Sequence, residues 1–93
     1  MSGALSSAAA DALAASIEAT IREALGLIRP SAVGIAGDAD LAQAADLDSA
    51  EVMDLVMEIE DHLDLSIPVE TVAQARTIDE LCAGILKLKR GTP

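Results

Sequence analysis

Apolar residues recur along this chain in three separated stripes, each with helical spacing. Leu13, Ile17, Ile21, Leu25 and Ile28 follow one another three and four apart, which predicts a first helix over about residues 7–28. Arg29-Pro30 ends it, because the residue before a proline is pushed out of the helical region. Val52, Leu55, Val56, Ile59 and Leu63 form the second stripe and predict a helix from Ser49 to His62 or Leu63. Asp48 stands ahead of it as an N-cap, and Glu51 completes an Asp version of the capping box. Ile67-Pro68 breaks the chain again, and a short helix over residues 70–74 follows. The last helix starts after Thr77, where Glu80 gives a second capping-box signal, and buries Ile78, Leu81, Cys82, Ile85 and Leu88. Lys87, Lys89 and Arg90 sit near its C-terminus, where they complement the helix dipole.

Residues 30–47, with Pro30, Gly34 and Gly37, read as a long connection tacked to the core by Val33, Ile35, Leu41 and Leu47. Long ordered loops in small domains tend to be functional. The expected architecture is all-α: a small bundle of three main helices plus one short helix, with a long first loop. Residues 7–89 form the domain, and residues 1–6 and 90–93 are expected to be flexible ends.

Composition narrows what such a bundle can do. A chain of 93 residues is one domain at most, and a domain of that size buries only about 60–65% of its unfolded surface. That leaves little room for a deep catalytic cleft, and we expect a non-catalytic carrier or binding module. The core must be aliphatic, because the chain has no Phe, Trp or Tyr. Missing aromatics and a net charge of −10 both argue against nucleic-acid binding. No stretch has the ~18 uninterrupted apolar residues of a membrane span. The N-terminus has no basic n-region, and Asp11, Glu18 and Glu23 interrupt its Ala-rich run. One cysteine, Cys82, excludes an internal disulfide and fits a reducing cytoplasm. The chain therefore reads as a cytoplasmic monomer.

Charge is distributed unevenly. Between Pro30 and Ala75 there is no Lys or Arg, while Asp38, Asp40, Asp46, Asp48, Glu51, Asp54, Glu58, Glu60, Asp61, Asp64 and Glu70 all fall there. The basic residues lie outside that stretch, so the middle of the protein presents an acidic surface to basic partners. Three candidate chemistries fail on spacing. Counting a calcium loop from Asp38 puts Gln43 where glycine is needed and Ser49 where glutamate is needed. His62, the sole histidine, stands thirteen residues beyond Ser49 on one helix, about 20 Å away at ~1.5 Å per residue, so no Ser–His pair forms. A metal site has no Cys or His cluster to build on. Cys82 falls on an apolar stripe, as a core thiol does.

Ser49 remains. It opens a helix after a long loop, where a phosphate would meet the positive end of the helix dipole and several backbone N–H groups. The same position suits a serine that merely starts a helix. The run Asp46-Leu47-Asp48-Ser49-Ala50-Glu51-Val52-Met53-Asp54-Leu55-Val56-Met57-Glu58-Ile59-Glu60 resembles the modification segment of acyl carrier proteins. Ile67-Pro68-Val69-Glu70 and Thr77-Ile78-Asp79-Glu80-Leu81 resemble the same family's later helix starts, and the likeness covers roughly residues 10–88. The resemblance implies 4′-phosphopantetheine attached to Ser49 by a phosphopantetheinyl transferase, with Asp48 beside it. It also implies partner contacts at Ala50, Glu51, Met53, Asp54, Met57, Glu58, Glu60 and Asp61. The expected partners are acyl-transferring or condensing enzymes with basic docking surfaces.

Two departures stand out. Ala50 replaces the family's usual Leu after the serine, and Asp46 stands where glycine is usual. They hint at a specialised carrier for lipid, fatty-acid or polyketide synthesis. An aliphatic interior could shelter an alkyl chain, with Leu55, Ile59, Leu63, Ile67 and Ile78 as the expected lining. Two alternatives stay open: a peptidyl or aminoacyl carrier, and an unmodified acidic module that binds a basic helix.

Overall fold

The computed structural model describes the backbone of residues 2–89 and the side chains of residues 11–89. Five α-helices follow one another: α1 (Ser2–Ile28), α2 (Leu41–Ala44), α3 (Ser49–Leu63), α4 (Val69–Gln74) and α5 (Ile78–Lys89). A 3₁₀ turn over Pro30–Ala32 follows α1. The fold is the expected all-α bundle with three main helices. α1 begins at Ser2, earlier than the residue-7 start its apolar stripe marks. Ala and Leu supply helix propensity there, ahead of Leu13, the first residue of the apolar stripe. Residues 90–93 lie outside the described residues.

α1 is the spine. It packs along both α3 and α5, and α4 rests on α5. Ile17, Ile21 and Leu25 of α1, Leu55 and Ile59 of α3, and Ile78 and Ile85 of α5 are the largest fully buried side chains. Burying each is worth about 1.5–3 kcal/mol, and Leu41, Leu47, Val56, Ile67 and Leu81 join them in the same aliphatic core. Among the described residues no polar or charged residue is buried.

The first connection is more ordered than a plain loop. Arg22 of α1 donates to the carbonyls of Val33 at 2.9 Å and Ile35 at 2.7 Å, which lashes the loop to the helix. Val33 itself is exposed rather than tacked to the core, while Ile35 is half-buried and Leu41 and Leu47 are buried. Asp40 caps the single-turn α2 by accepting from the Gln43 amide at 3.1 Å. The same residue forms an isolated antiparallel bridge with Thr77, through the Leu41 amide donating to the Arg76 carbonyl at 2.8 Å. The Gly37 carbonyl accepts from the Asp79 amide at 3.0 Å. A Cβ on Gly37 would lie 2.5 Å from the Asp79 carboxylate, so a larger residue there would make that exposed side chain turn aside. The loop is thus stitched to the start of α5.

The second capping box forms only in part. Thr77 Oγ1 accepts from the Glu80 amide at 3.0 Å, but the Glu80 carboxylate accepts from the Arg76 amide at 2.8 Å, one residue before the Thr77 amide a box would use.

Candidate functional site

Ser49 is the first residue of α3, and its side chain is exposed. In the first turn of a helix, backbone N–H groups have no carbonyl four residues back to bond. The segment leading to Ser49 is tightly fixed. Asp46 takes a left-handed conformation, φ 54°. Leu47 is buried, and its amide donates to the Ala42 carbonyl at 3.1 Å. Asp48 is the N-cap: it accepts from the Glu51 amide at 2.8 Å, and Glu51 accepts from the Asp48 amide at 3.2 Å. This is the full capping box read from the sequence.

Asp46 therefore explains one departure in physical terms. The left-handed region favours glycine, and aspartate is among the few other residues that visit it.

The acidic strip sorts into two groups. Met53, Asp54, Met57 and Asp61 are exposed, with Met53 at 46% and Met57 at 60% of full exposure. Spacings of three, four and seven put them on one outer face. Ala50 is exposed beside Ser49. Glu51 and Glu60 are half-buried and engaged inside the protein. Glu51 pairs with Arg29 at 2.8 Å. Glu60 accepts from the Ile67 amide at 2.7 Å and so fixes the turn after α3. Glu58 is half-buried, and its carbonyl is 2.9 Å from His62 Nδ1. That hydrogen bond raises the His62 pKa above its ordinary value; desolvation opposes it, and the nearby carboxylates of Glu23, Glu58 and Asp61 add to the rise.

Arg29 is the residue sequence reasoning missed at this site. It lies at the end of α1, 22 residues before Glu51, and no local pattern joins the two. Among the expected lining residues, Leu55, Ile59, Ile67 and Ile78 are buried in the common core and Leu63 is half-buried. A shallow cleft of about 220 Å³ lies beside α3, lined by Asp40, Leu41, Ala42, Val52, Ala75 and Arg76. Val52 is one helical turn on from Ser49. Cys82 is half-buried; its thiol donates to the Ala14 carbonyl at 3.3 Å, and burial pushes its pKa up. Among the described residues no group of three or more potential metal ligands comes together, and no helix is long and apolar enough to cross a membrane.

Residues 15–85 match the family model described as the phosphopantetheine attachment site. The chain belongs to this family. It is a carrier domain and not a catalyst, and it bears 4′-phosphopantetheine on a serine. Carriers of this kind are modified by phosphopantetheinyl transferases and work with biosynthetic enzymes. No curated protein and no solved structure matches the chain significantly. The residues around Ser49 suit such a group. The hydroxyl is exposed, the neighbouring Ala50 is small, and the start of α3 offers a phosphodiester its backbone N–H groups.

Proposed function

We propose that Ser49 carries the arm and that the cargo is an acyl group held as a thioester for lipid, fatty-acid or polyketide synthesis. The observation that carries the assignment is the position of Ser49. The matched region holds four serines: Ser16, Ser31, Ser49 and Ser66. Ser16 lies within α1, Ser31 in the 3₁₀ turn and Ser66 in the turn after α3. Ser49 alone of these is exposed at the start of a long helix, behind a fixed and capped loop.

The docking face favours acyl over peptidyl or aminoacyl cargo, because peptidyl carrier sites less often adjoin such an acidic helix. Asp54 and Asp61 supply charge, and Met53 and Met57 supply adaptable apolar contact. Exposed ion pairs are each worth about 0–1 kcal/mol, so docking is weak, fast and salt-sensitive. That suits a carrier which must leave each enzyme it visits. Ala50 removes the larger side chain usual after the serine and supports a specialised carrier with its own transferase preference.

Leu55, Ile59, Leu63, Ile67 and Ile78 are the proposed lining for an alkyl chain. α4 has no buried residue and no side-chain cap, and α3 makes few close backbone approaches to it. The core opens most cheaply along that seam. The experiment compares the melting temperature of the protein bearing the bare arm with that of a long-chain acyl form. A clear rise on acylation is expected, and equal melting temperatures would refute sheltering.

A further inference from the structure

We infer that Arg29 is a positioning residue that holds the Ser49 segment ready for attachment of the arm. The inference rests on Ser49 being the attachment site. Arg29 ends α1, and its amide still bonds to the Leu25 carbonyl at 2.7 Å. Its guanidinium leaves the helix and crosses to the loop before α3. Nη2 donates to both carboxylate oxygens of Glu51 at 2.8 Å and to the Asp46 carbonyl at 3.0 Å. One cation thus grips the segment on both sides of Ser49. Asp46 is the left-handed residue where the chain turns, and Glu51 closes the capping box onto the Asp48 amide.

The environment makes this grip firmer than a surface ion pair. The Arg29 and Glu51 side chains keep 35% and 27% of their full exposure, so water competes only partly. Charge-assisted hydrogen bonds are the strong ones. Arg29 Nε is buried with no partner, so the contacts with the segment run through the far end of the guanidinium. All three contacts come from the single nitrogen Nη2, so a lysine could supply the charge but not the same placement of the N–H groups. The pair also withdraws Glu51 from docking, so a transferase meets Asp54 and Asp61 on the outer face while Arg29 and Glu51 fix where the Ser49 hydroxyl stands. Docking and orientation are separate tasks here, and they separate kinetically. Loss of a docking contact raises KM, whereas loss of orientation lowers kcat.

The experiment measures phosphopantetheine transfer from coenzyme A by a broad-specificity transferase for the wild type, Arg29→Gln, Arg29→Lys, Glu51→Gln and the double variant Arg29→Gln/Glu51→Gln. Glutamine at 51 preserves the capping box. Amide hydrogen exchange on the same unmodified proteins reports the segment directly. Arg29→Gln should lower kcat about tenfold with KM little changed, because misplacement of a reacting group costs turnover. Glu51→Gln should do nearly the same and the double variant no worse than either, because the pair acts as a unit. Arg29→Lys should recover part of the loss. Exchange at the bonded Asp48, Glu51 and Val52 amides should quicken about tenfold in Arg29→Gln while α5 is unchanged.

Unchanged kcat with a raised KM would make the pair a docking element and overturn the inference. Unchanged exchange at the Asp48, Glu51 and Val52 amides, or uniform acceleration across the whole protein, would overturn it too, the latter by reducing Arg29 to a general stabiliser. An arm mapped to a serine other than Ser49 would overturn the Ser49 assignment and this inference with it. A wild type and an Arg29→Gln protein modified at the same kcat would overturn this inference alone.

Discussion

α3 and α4 lie close together in the chain and are held in opposite ways. α3 opens on a complete capping box, is clamped by Arg29 from α1, and buries Leu55, Val56 and Ile59. It closes on Asp64 in the left-handed conformation, with the Leu65 amide bonding back to the Glu60 carbonyl at 3.3 Å. α4 follows Pro68 with no side-chain cap, spans six residues and buries none of them. Its Val69 is 72% exposed. The contrast teaches how a carrier without a catalytic cleft divides its work. On the proposed reading, one helix holds the attachment point and the docking face on a capped, clamped start. The other has no side-chain cap and no buried residue, which makes it the place where the proposed opening of the core would disturb the site least.

Core truncation gives the largest effect on that contrast. Leu55→Ala or Ile59→Ala on α3 should cost about 2–5 kcal/mol of unfolding free energy, whereas Val69→Ala on α4 should cost less than about 0.5 kcal/mol. Urea denaturation of the three variants measures both, and similar losses would erase the distinction between the helices. The next effect is at the cap. Asp48→Ala should cost about 1 kcal/mol, because it leaves the Glu51 amide without its partner. A smaller change of opposite sign is expected at Asp46→Gly, a gain of a few tenths of a kcal/mol from relief of the left-handed conformation. Loss of stability on that change would mean that the Asp46 side chain has a role beyond its backbone.

The smallest effect is at His62, at the C-terminal end of α3. Its folded pKa is raised, so its contribution to stability is full below the unfolded value near 6.5 and disappears as pH rises through the folded value. An NMR titration should place the ring pKa above that of a model peptide, and His62→Gln should flatten the weak pH dependence of stability in that range. A ring pKa at or below the peptide value would contradict the bond to Glu58.

The parts of this architecture governed by short-range physics were legible in the sequence. The apolar stripes marked α1, α3 and α5, Asp48 with Glu51 marked the start of α3, and Ile67-Pro68 marked the break before α4. What escaped was decided by distance or by brevity. α2 is a single turn, too short for any periodicity, and residues 30–47 read as a connection without a helix. The stitching of Asp40 to Thr77 and Gly37 to Asp79 joins residues about 40 apart in the chain. Within the candidate site, the first turn of α3 and its exposed methionines were readable. The division of its carboxylates was not, because Glu51 and Glu60 look like Asp54 and Asp61 until Arg29 and the Ile67 amide are brought against them.

The most direct test of the account is intact mass before and after incubation with coenzyme A and a broad-specificity phosphopantetheinyl transferase, followed by mapping of the modified peptide, with Ser49→Ala alongside. The account predicts a gain of one phosphopantetheine on the peptide containing Ser49 and no gain in Ser49→Ala. An arm mapped to Ser16, Ser31 or Ser66, or a gain that persists in Ser49→Ala, would contradict it.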